Sequence, residues 1–293
     1  MTVIAAVADR FGRDLDEDFA LVERALRAAR ASGAELVVFP ECALGGYLRE
    51  PGPGESGPDL PPALAPDGPE IARLAALAGD TVVCVGYTEA SPRGQYSSAV
   101  CVNGDGVLGH HRKVHLPPAE RFAYTPGDGF AAFDTPVGRI GMLLCYDKMF
   151  PQASTILAED GAQVIACLAA WPADRQRPAQ RLGDDRQARH FGLLAAARAV
   201  ENQVGWVSAN QTGPWGALHF VGHTRIVDPD GVTLAQTREG DAGIAVAQLD
   251  VPEAVRDIRA HIDHLADRRP AAYAPPLQLA GPPPPALTDA ASG

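Results

Sequence analysis

The sequence predicts an α/β fold in which two stacked mixed sheets are flanked by helices. Short apolar runs typical of buried strands alternate with segments that have helical spacing, which indicates βα units. Hairpin turns are also present, as Asn-Gly-Asp-Gly at 103–106 and Asp-Pro-Asp-Gly at 228–231. Antiparallel strands are therefore expected beside parallel ones, and the excess of predicted strands over predicted helices favours two sheets.

The first half of the chain has clear strand and helix signals. Strands are predicted over 3–8, 35–39, 81–87 and 97–102. A helix is predicted from the spacing of Leu15, Phe19, Val22, Leu26 and Ala29, with Gly33 as its stop, and another over 70–78. Residues 51–69 are rich in Pro and Gly and lack an apolar period, so they predict a long loop, either at the rim of a site or as a surface insertion.

The second half continues the alternation. Strands are predicted from Val107 and over 131–135, 140–144, 164–168, 204–209, 232–235 and 244–249. Helices are predicted to begin near Pro151 and after Asp184 and Asp185, the second of them running to about Asn202. Prolines and small residues fill the end of the chain. We therefore predict one domain over 1–272 and a Pro-rich tail over 273–293.

Composition narrows the class of protein. Apolar residues make up 46 % of the 293-residue chain and the formal net charge is −11. This acidity disfavours binding to nucleic acid or to an anionic membrane, so neither is an expected partner. Five irregularly spaced cysteines without a CxxC pair do not suggest a disulfide framework. Without a signal peptide pattern or an apolar run of bilayer length, the expected location is the cytoplasm.

Three predicted strands end in reactive side chains. Glu41 follows the strand over 35–39, Lys113 follows the strand that begins at Val107, and Cys145 follows the strand over 140–144. Ligands of open α/β sheets gather beyond the carboxyl ends of strands, so these side chains could meet in one site. A carboxylate can take the proton of a thiol, and an ammonium can stabilise an oxyanion, so the trio suits attack on a carbonyl.

Each of the three also has an ordinary structural interpretation. A cysteine at the end of an apolar strand is usually part of the core. Glu41 after Pro40 could be a surface or helix-terminal charge, and Lys113 among basic neighbours could lie in a solvated loop. Taken singly, none of them establishes a catalytic site.

Read together, longer segments resemble the nitrilase superfamily, also called carbon–nitrogen hydrolases. Phe-Pro-Glu-Cys-Ala-Leu-Gly-Gly-Tyr at 39–47 resembles its glutamate motif, and Arg-Lys-Val-His-Leu-Pro at 112–117 its lysine motif. Gly-Met-Leu-Leu-Cys-Tyr-Asp-Lys-Met-Phe-Pro at 141–151 resembles its cysteine motif, and the three follow in the family's order. The resemblance extends over about residues 2–250.

The resemblance implies a four-layer α-β-β-α sandwich, assembled as a homodimer or a larger homo-oligomer. Glu41 is then the general base and acid, and Lys113 stabilises the oxyanion together with the backbone amide of Tyr146. Cys145 forms a thioester, and Glu120 positions Lys113 or the substrate amide. Neither a metal nor an organic cofactor is expected.

The substrate stays open at the level of sequence. Cys-Tyr-Asp at 145–147 is similar to the amidase-like branches, so a small amide or N-carbamoyl amine is favoured over a nitrile. Met149 stands where branches acting on dicarboxylate amides often have arginine, although Lys148 beside it is charged. The predicted substrate-binding residues are Tyr47, Tyr146, Lys148, Trp171 and Asn210. The loops over 51–69 and 173–183 are expected to shape the pocket.

Two other readings have less support. His110, His111 and His115, or the pair His219 and His223, could suggest a metal site, but the second pair lies in a segment predicted as strand or loop, not on a helix. A catalytically inactive interaction protein on the same fold is the remaining alternative. The presence of glutamate, lysine and cysteine together speaks against it.

Overall fold

The computed structural model of the protein describes residues 1–53 and 59–273. Its strands are β1 Thr2–Asp9, β2 Leu36–Val38, β3 Ala63–Leu64, β4 Val82–Ser91, β5 Gly94–Asn103, β6 Gly106–Arg112, β7 Ala132–Thr135, β8 Gly138–Leu144, β9 Val164–Ala169, β10 Gly205–Trp215, β11 Leu218–Val221, β12 Arg225–Val227, β13 Thr233–Gln236 and β14 Gly243–Leu249. Its α-helices are α1 Leu15–Ala31, α2 Pro69–Ala78, α3 Pro151–Glu159, α4 Arg186–Asn202, α5 Val251–His261 and α6 Pro270–Tyr273.

The strands form one hydrogen-bonded path that folds into two stacked halves. Its order is β6-β5-β4-β2-β1-β10-β9-β8-β7. We call the part from β6 to β1 the first half-sheet and the part from β10 to β7 the second half-sheet. The parallel pairs Ala8–Asn210 and Asp9–Gln211 make the sheet continuous from one half to the other. The central strands are parallel, whereas β4–β5–β6 and β7–β8 are antiparallel.

Three apolar layers hold this arrangement together. Between the half-sheets, Val38 and Cys84 belong to the same core as Met142 and Leu168. A second core packs α1 and α2 onto the outer face of the first half-sheet, and a third packs α3 and α4 onto the outer face of the second. The predicted four-layer α-β-β-α fold is therefore confirmed, with the addition that its two sheets are continuous through β1 and β10.

Local signals explain most element boundaries. The Asp14 side chain caps α1 by accepting from the backbone N–H groups of Asp16 and Glu17, and Asp185 caps α4 by accepting from that of Gln187 at 2.7 Å. The hairpin at 103–106 connects β5 and β6 as predicted. Helix α5 is not predicted from the sequence, because only Val251 and Val255 are buried in it and so few apolar residues leave little helical period.

Two predicted features fall partly outside the described residues. Within the loop over 51–69, β3 pairs in parallel with β4, and residues 54–58 are not described. Of the Pro-rich tail over 273–293, only Tyr273 is described. In the part of the chain that is described, no helix is both long and apolar enough to cross a bilayer.

The topology brings the carboxyl ends of several strands to one edge. β2, β1, β10, β9 and β8 are parallel, so the segments that follow β2, β8 and β9 emerge together. These segments carry Glu41, Cys145 and Trp171. β5 and β6 add Ser97 and Lys113, because the backbone N–H of Lys113 donates to Ser97 O at 2.9 Å.

Gly86 on β4 allows the turn that carries Glu41 to lie against the sheet. A Cβ at this position would meet Cys42 N and Glu41 Cα at 2.6 Å. The backbone N–H of Gly86 donates to Pro40 O at 3.2 Å, and its carbonyl accepts from the backbone N–H of Leu44 at 3.1 Å. These bonds fix the turn tightly, so only a residue without a side chain fits here.

We predict that Gly86→Ala lowers the free energy of unfolding by about 1–3 kcal/mol, because the new methyl group displaces backbone rather than a flexible side chain. Chemical denaturation measures this change. Gly129→Ala is the matched control, since a Cβ there meets nothing within 4 Å, and it should change stability by less than about 0.5 kcal/mol. Equal stability of both variants would contradict the prediction.

Candidate active site

Glu41 lies in the turn after β2 with its carboxylate fully buried. Its Oε1 accepts hydrogen bonds from Ser97 Oγ at 3.0 Å and Lys113 Nζ at 2.8 Å. Its Oε2 accepts from the backbone N–H of Ala170 at 2.9 Å. The carboxylate is therefore held by three donors on three different strands or strand ends, which fixes its orientation.

Lys113 follows β6 and is also fully buried. Its ammonium donates to Glu41 Oε1 at 2.8 Å and to Glu120 Oε1 at 2.6 Å. Burial by itself lowers the pKa of Lys113, but the charges of Glu120 and Glu41 outweigh burial and hold that pKa well above its ordinary value. Lys113 is consequently a permanent positive charge shared by two carboxylates.

Glu120 ends the short 3₁₀ turn Pro118–Glu120 and completes this cluster. Its Oε1 also accepts a hydrogen bond from the hydroxyl of Tyr47. Its Oε2 has no hydrogen-bond partner within the described part of the chain. Burial raises the pKa of Glu120 to about 7, although the Lys113 ammonium opposes this shift. Glu120 therefore keeps one carboxyl oxygen available for a further hydrogen bond.

Cys145 begins the 3₁₀ turn Cys145–Met149 directly after β8. Its φ is 45°, a left-handed conformation that is rare for a residue with a side chain. Burial and the Glu41 carboxylate raise the pKa of its thiol well above the ordinary value, against the opposing effect of Lys113. The thiol is thus protonated at rest and needs a base to become a nucleophile.

Asp147 ties the lysine segment to the cysteine turn. Its buried carboxylate accepts from the backbone N–H groups of His115 at 2.8 Å and Leu144 at 3.2 Å. The rings of His111 and His115 approach the same carboxylate at 3.1 and 2.9 Å. Burial opposes its ionisation, but the hydrogen bonds of His111 and His115 outweigh burial and lower the pKa of Asp147 to about 2. Since His111 and His115 flank Lys113, Asp147 sets the distance between lysine and cysteine.

A cavity of about 490 Å³ opens beside this cluster. Of the predicted site residues, those that line it are Tyr47, Glu120, Cys145, Tyr146 and Trp171. Prolines, alanines and Leu218 make most of the remaining wall apolar. Pro51 and residues 173–175 also contribute, so the two loops expected to shape the pocket both reach it.

The other four predicted residues are absent from the cavity lining. Glu41 and Lys113 nevertheless adjoin its reacting end, because their charges act on the Cys145 thiol. Lys113 also donates to Glu120, and Glu41 accepts from the backbone of Ala170. Asn210 Oδ1 accepts from the backbone N–H of Trp171 at 2.7 Å, so it supports the wall. The Lys148 ammonium lies against the rings of Trp171 and Phe191. The positions of Asn210 and Lys148 therefore do not support direct contact with the substrate.

Several participants escaped the sequence analysis. Ser97 and the backbone N–H of Ala170 bind Glu41, but one is an ordinary strand residue and the other carries no side-chain signal. Arg175, Arg186, Gln187 and His190 line the polar rim of the cavity. Asp147 connects the segment of Lys113 to the turn of Cys145. The one sequence signal for this connection is that Asp147 and the histidines beside Lys113 belong to the two family-like motifs.

Four of the five histidines considered for a metal site have carboxylate partners. His110 Nε2 lies 2.8 Å from Glu89 Oε2, whereas His111 and His115 contact Asp147. His223 Nε2 lies 3.2 Å from Glu239 Oε1. Among the described residues, no group of three His, Cys, Asp or Glu side chains has an arrangement that could hold a metal ion.

Comparison with known proteins gives consistent matches over most of the chain. The family model described as Carbon-nitrogen hydrolase matches residues 4–259. A protein named nitrilase from Pyrococcus abyssi is 32 % identical over 239 residues, covering 80 % of this chain and 84 % of that protein. N-carbamoylputrescine amidase from Solanum tuberosum is 29 % identical over 297 residues, covering 96 % of each. The crystal structure of an amidase from Nesterenkonia sp. superposes with a TM-score of 0.75 at 24 % identity, covering 93 % of this chain and 95 % of that one.

We predict that Asp147→Asn lowers both activity and stability. The lowered pKa of Asp147 corresponds to about 2 kcal/mol of stability, which is present above pH 4 and is lost as the pH falls towards 2. The difference in free energy of unfolding between wild type and variant should therefore shrink by about 1 kcal/mol between pH 6 and pH 3. Denaturant titrations at the two pH values measure it.

Asp134→Asn serves as the control, because this carboxylate is exposed and pairs with Arg139 at the surface. It should leave activity unchanged. A stability difference for Asp147→Asn that is the same at pH 3 and pH 6 would refute the role of the ionised carboxylate.

Proposed function

The chain belongs to the carbon–nitrogen hydrolase family and is a hydrolase of non-peptide carbon–nitrogen bonds, and on this premise we propose a cysteine-dependent amidohydrolase for small amides or N-carbamoyl amines. The observation that carries the proposal is the convergence of Glu41, Lys113 and Glu120 in one buried cluster beside Cys145, where a cavity opens. In this proposal Glu41, Lys113, Cys145 and Glu120 are the catalytic residues.

The first half-reaction forms an acyl-enzyme. Glu41 takes the proton of Cys145 as Sγ attacks the carbonyl carbon, because the raised pKa of the thiol leaves little thiolate without a base. The oxyanion is stabilised by the Lys113 ammonium and the backbone N–H of Tyr146. Glu41 returns the proton to the amine nitrogen, the carbon–nitrogen bond breaks, and ammonia or an amine departs from a thioester.

The second half-reaction releases the acid. Glu41 takes a proton from water, whose oxygen attacks the thioester carbonyl at the same oxyanion site. The carbon–sulfur bond breaks, the carboxylic acid product departs, and Glu41 passes the proton it took from water to the thiolate of Cys145. Glu120 keeps Lys113 in place and offers its free Oε2 to the N–H of the substrate amide, which fits its position on the cavity wall.

Nitrile hydrolysis is the second candidate, since the Pyrococcus abyssi relative is named a nitrilase. Two other matches are named as an amidase and an N-carbamoylputrescine amidase, which supports the amide reading. Ammonia release and product analysis with matched amides, N-carbamoyl amines and nitriles separates the candidates. A lack of turnover on all three panels, with Cys145→Ala indistinguishable from wild type, would favour an inactive interaction protein.

We predict that Glu41→Gln accumulates an acyl adduct on Cys145 when it is mixed with activated acyl esters, because an ester leaving group departs without a proton from Glu41, whereas glutamine cannot activate water for thioester hydrolysis. With amides, whose leaving amine needs that proton, the variant should acylate much more slowly than wild type. Intact-mass analysis after mixing with a panel of activated esters identifies the adduct and its acyl group. Cys145→Ala in the same background should show none, whereas Cys101→Ala, which removes a buried thiol from β5, should leave the adduct intact. An adduct that survives Cys145→Ala would refute the assigned nucleophile.

We also propose a homodimer or larger homo-oligomer that acts in the cytoplasm. Ile156 on α3 and Leu193 and Val200 on α4 are exposed apolar side chains on neighbouring helices, which supports subunit contact there. Five unpaired, buried cysteines fit a reducing compartment. The division into a domain over 1–272 and a tail over 273–293 likewise stands as a proposal.

Light scattering in solution tests the assembly. Wild type should have the mass of at least two chains, and Leu193→Glu should shift the mass towards one chain, because it places a charge in an apolar contact. Leu234→Glu on β13 is the control with no expected effect. A monomeric wild type would contradict the assembly.

A further inference from the structure

Lys148 is a buried lysine without the partner that such a charge normally requires. Its side chain has no solvent exposure, and its Nζ makes no hydrogen bond within the described part of the chain. The Nζ lies 3.2 Å from the ring centroid of Phe191 and 4.6 Å from that of Trp171. Cation–π contacts recover only part of the several kcal/mol that burying an ammonium costs. Because burying this ammonium destabilises the fold, Lys148 is a candidate for a functional role.

The groups around Lys148 do not neutralise it. Cys145 lies on its own turn, Cys167 on β9, Arg198 on α4 and Arg225 on β12. Burial lowers the pKa of Lys148 to about 8; the two cysteines oppose this shift, while Arg225 and Arg198 add to it. His223 contacts Arg225, and Asp147 is bound to His111, His115 and Leu144. No carboxylate among the described residues forms an ion pair with Lys148.

The reacting cluster has the opposite imbalance. Lys113 is one ammonium between two carboxylates, Glu41 and Glu120. Transfer of the Cys145 proton to Glu41 leaves the net charge of the site unchanged, but it moves a negative charge onto the buried thiolate and then onto the oxyanion. A second positive charge nearby is what this site lacks, because low local polarity makes each unbalanced charge costly.

The backbone places Lys148 to supply that charge. Cys145 and Lys148 lie three residues apart in the turn Cys145–Met149, close enough for the Cys145 thiol to act on the pKa of Lys148. Both approach Trp171, since Cys145 packs in one apolar cluster with Trp171 and Phe191. The two rings that cover the Lys148 ammonium therefore belong to the same cluster as the thiol.

We propose that Lys148 is a positioning residue that acts through Cys145: its buried ammonium balances the surplus negative charge of the Glu41–Lys113–Glu120 cluster and favours the thiolate. The inference rests on the proposed function for its catalytic meaning. If Lys148 served only to support Trp171, its replacement should lower stability and leave the ionisation of the Cys145 thiol unchanged.

The test measures alkylation of Cys145 by iodoacetamide between pH 6 and pH 9.5, which needs no knowledge of the substrate. Intact mass follows the reaction, with Cys145→Ala as the background. Lys148→Met, of similar length and without charge, should react about tenfold more slowly at pH 7, since a nearby positive charge lowers a thiol pKa by about one unit or more. The gap should narrow above pH 8, where wild type loses the lysine charge.

Stability supplies the second readout. The folded pKa of about 8 lies below the unfolded value of 10.5, so the charged lysine penalises the fold below pH 8 and the penalty vanishes as the pH rises to 10.5. Lys148→Met should therefore melt about 2–4 °C higher at pH 7, with a gain that shrinks at alkaline pH. Lys148→Arg should preserve fast alkylation at pH 7 by keeping the charge.

Arg189→Met, which removes an exposed charge from α4, is the control and should alter neither readout. A less stable or unfolded Lys148→Met, or an unchanged alkylation profile, would overturn the inference. If the alkylation difference is found while no variant and no wild type hydrolyses any amide, the electrostatic role stands and the proposed function fails. If Lys148→Met and wild type are alkylated equally fast while wild type hydrolyses amides, the role proposed for Lys148 is refuted and the proposed function stands.

Discussion

The structure depends on one ammonium shared by two buried carboxylates. Lys113 holds Glu41 and Glu120 at hydrogen-bond distance, and the two glutamates would repel each other without it. Removing one partner from such a cluster leaves an uncompensated charge in the core. The cost of removing three charges from water is offset by the attraction of Lys113 for both carboxylates and by the donors of Ser97 and Ala170, which complete Glu41.

This constraint explains the unusual backbone near the cluster. Cys42, beside Glu41, has a φ of 52°, and Cys145 has a φ of 45°. Both turns leave parallel strands sharply, which directs Glu41 and Cys145 towards Lys113. Asp147 then fixes the lysine segment against the cysteine turn through three contacts with His111 and His115. Its fourth contact, with the backbone N–H of Leu144, holds the cysteine turn itself.

Much of this arrangement could be predicted from the sequence, and the remainder could not, for physical reasons. Apolar runs identify strands that are buried on both faces, and the motifs around Glu41, Lys113 and Cys145 identify the segments that meet. Lys148 and Asn210 are predicted to contact substrate, but the directions of their side chains depend on packing that the sequence does not show. Lys148 lies against the ring of Trp171, and Asn210 binds the backbone N–H of Trp171. Helix α5 is not predicted because only two of its residues, Val251 and Val255, are buried. The continuity of the sheets rests on two backbone pairs that no side-chain pattern encodes.

The central claim is that a substrate carbonyl enters between Cys145 and the buried Lys113. A crystal structure of the Cys145→Ala variant with a bound small amide tests it most directly. The claim predicts the amide oxygen within about 3 Å of Lys113 Nζ and of the backbone nitrogen of Tyr146, with the carbonyl carbon facing position 145. An amide bound in the cavity with its oxygen directed away from Lys113, at the rim near Arg175, would contradict it.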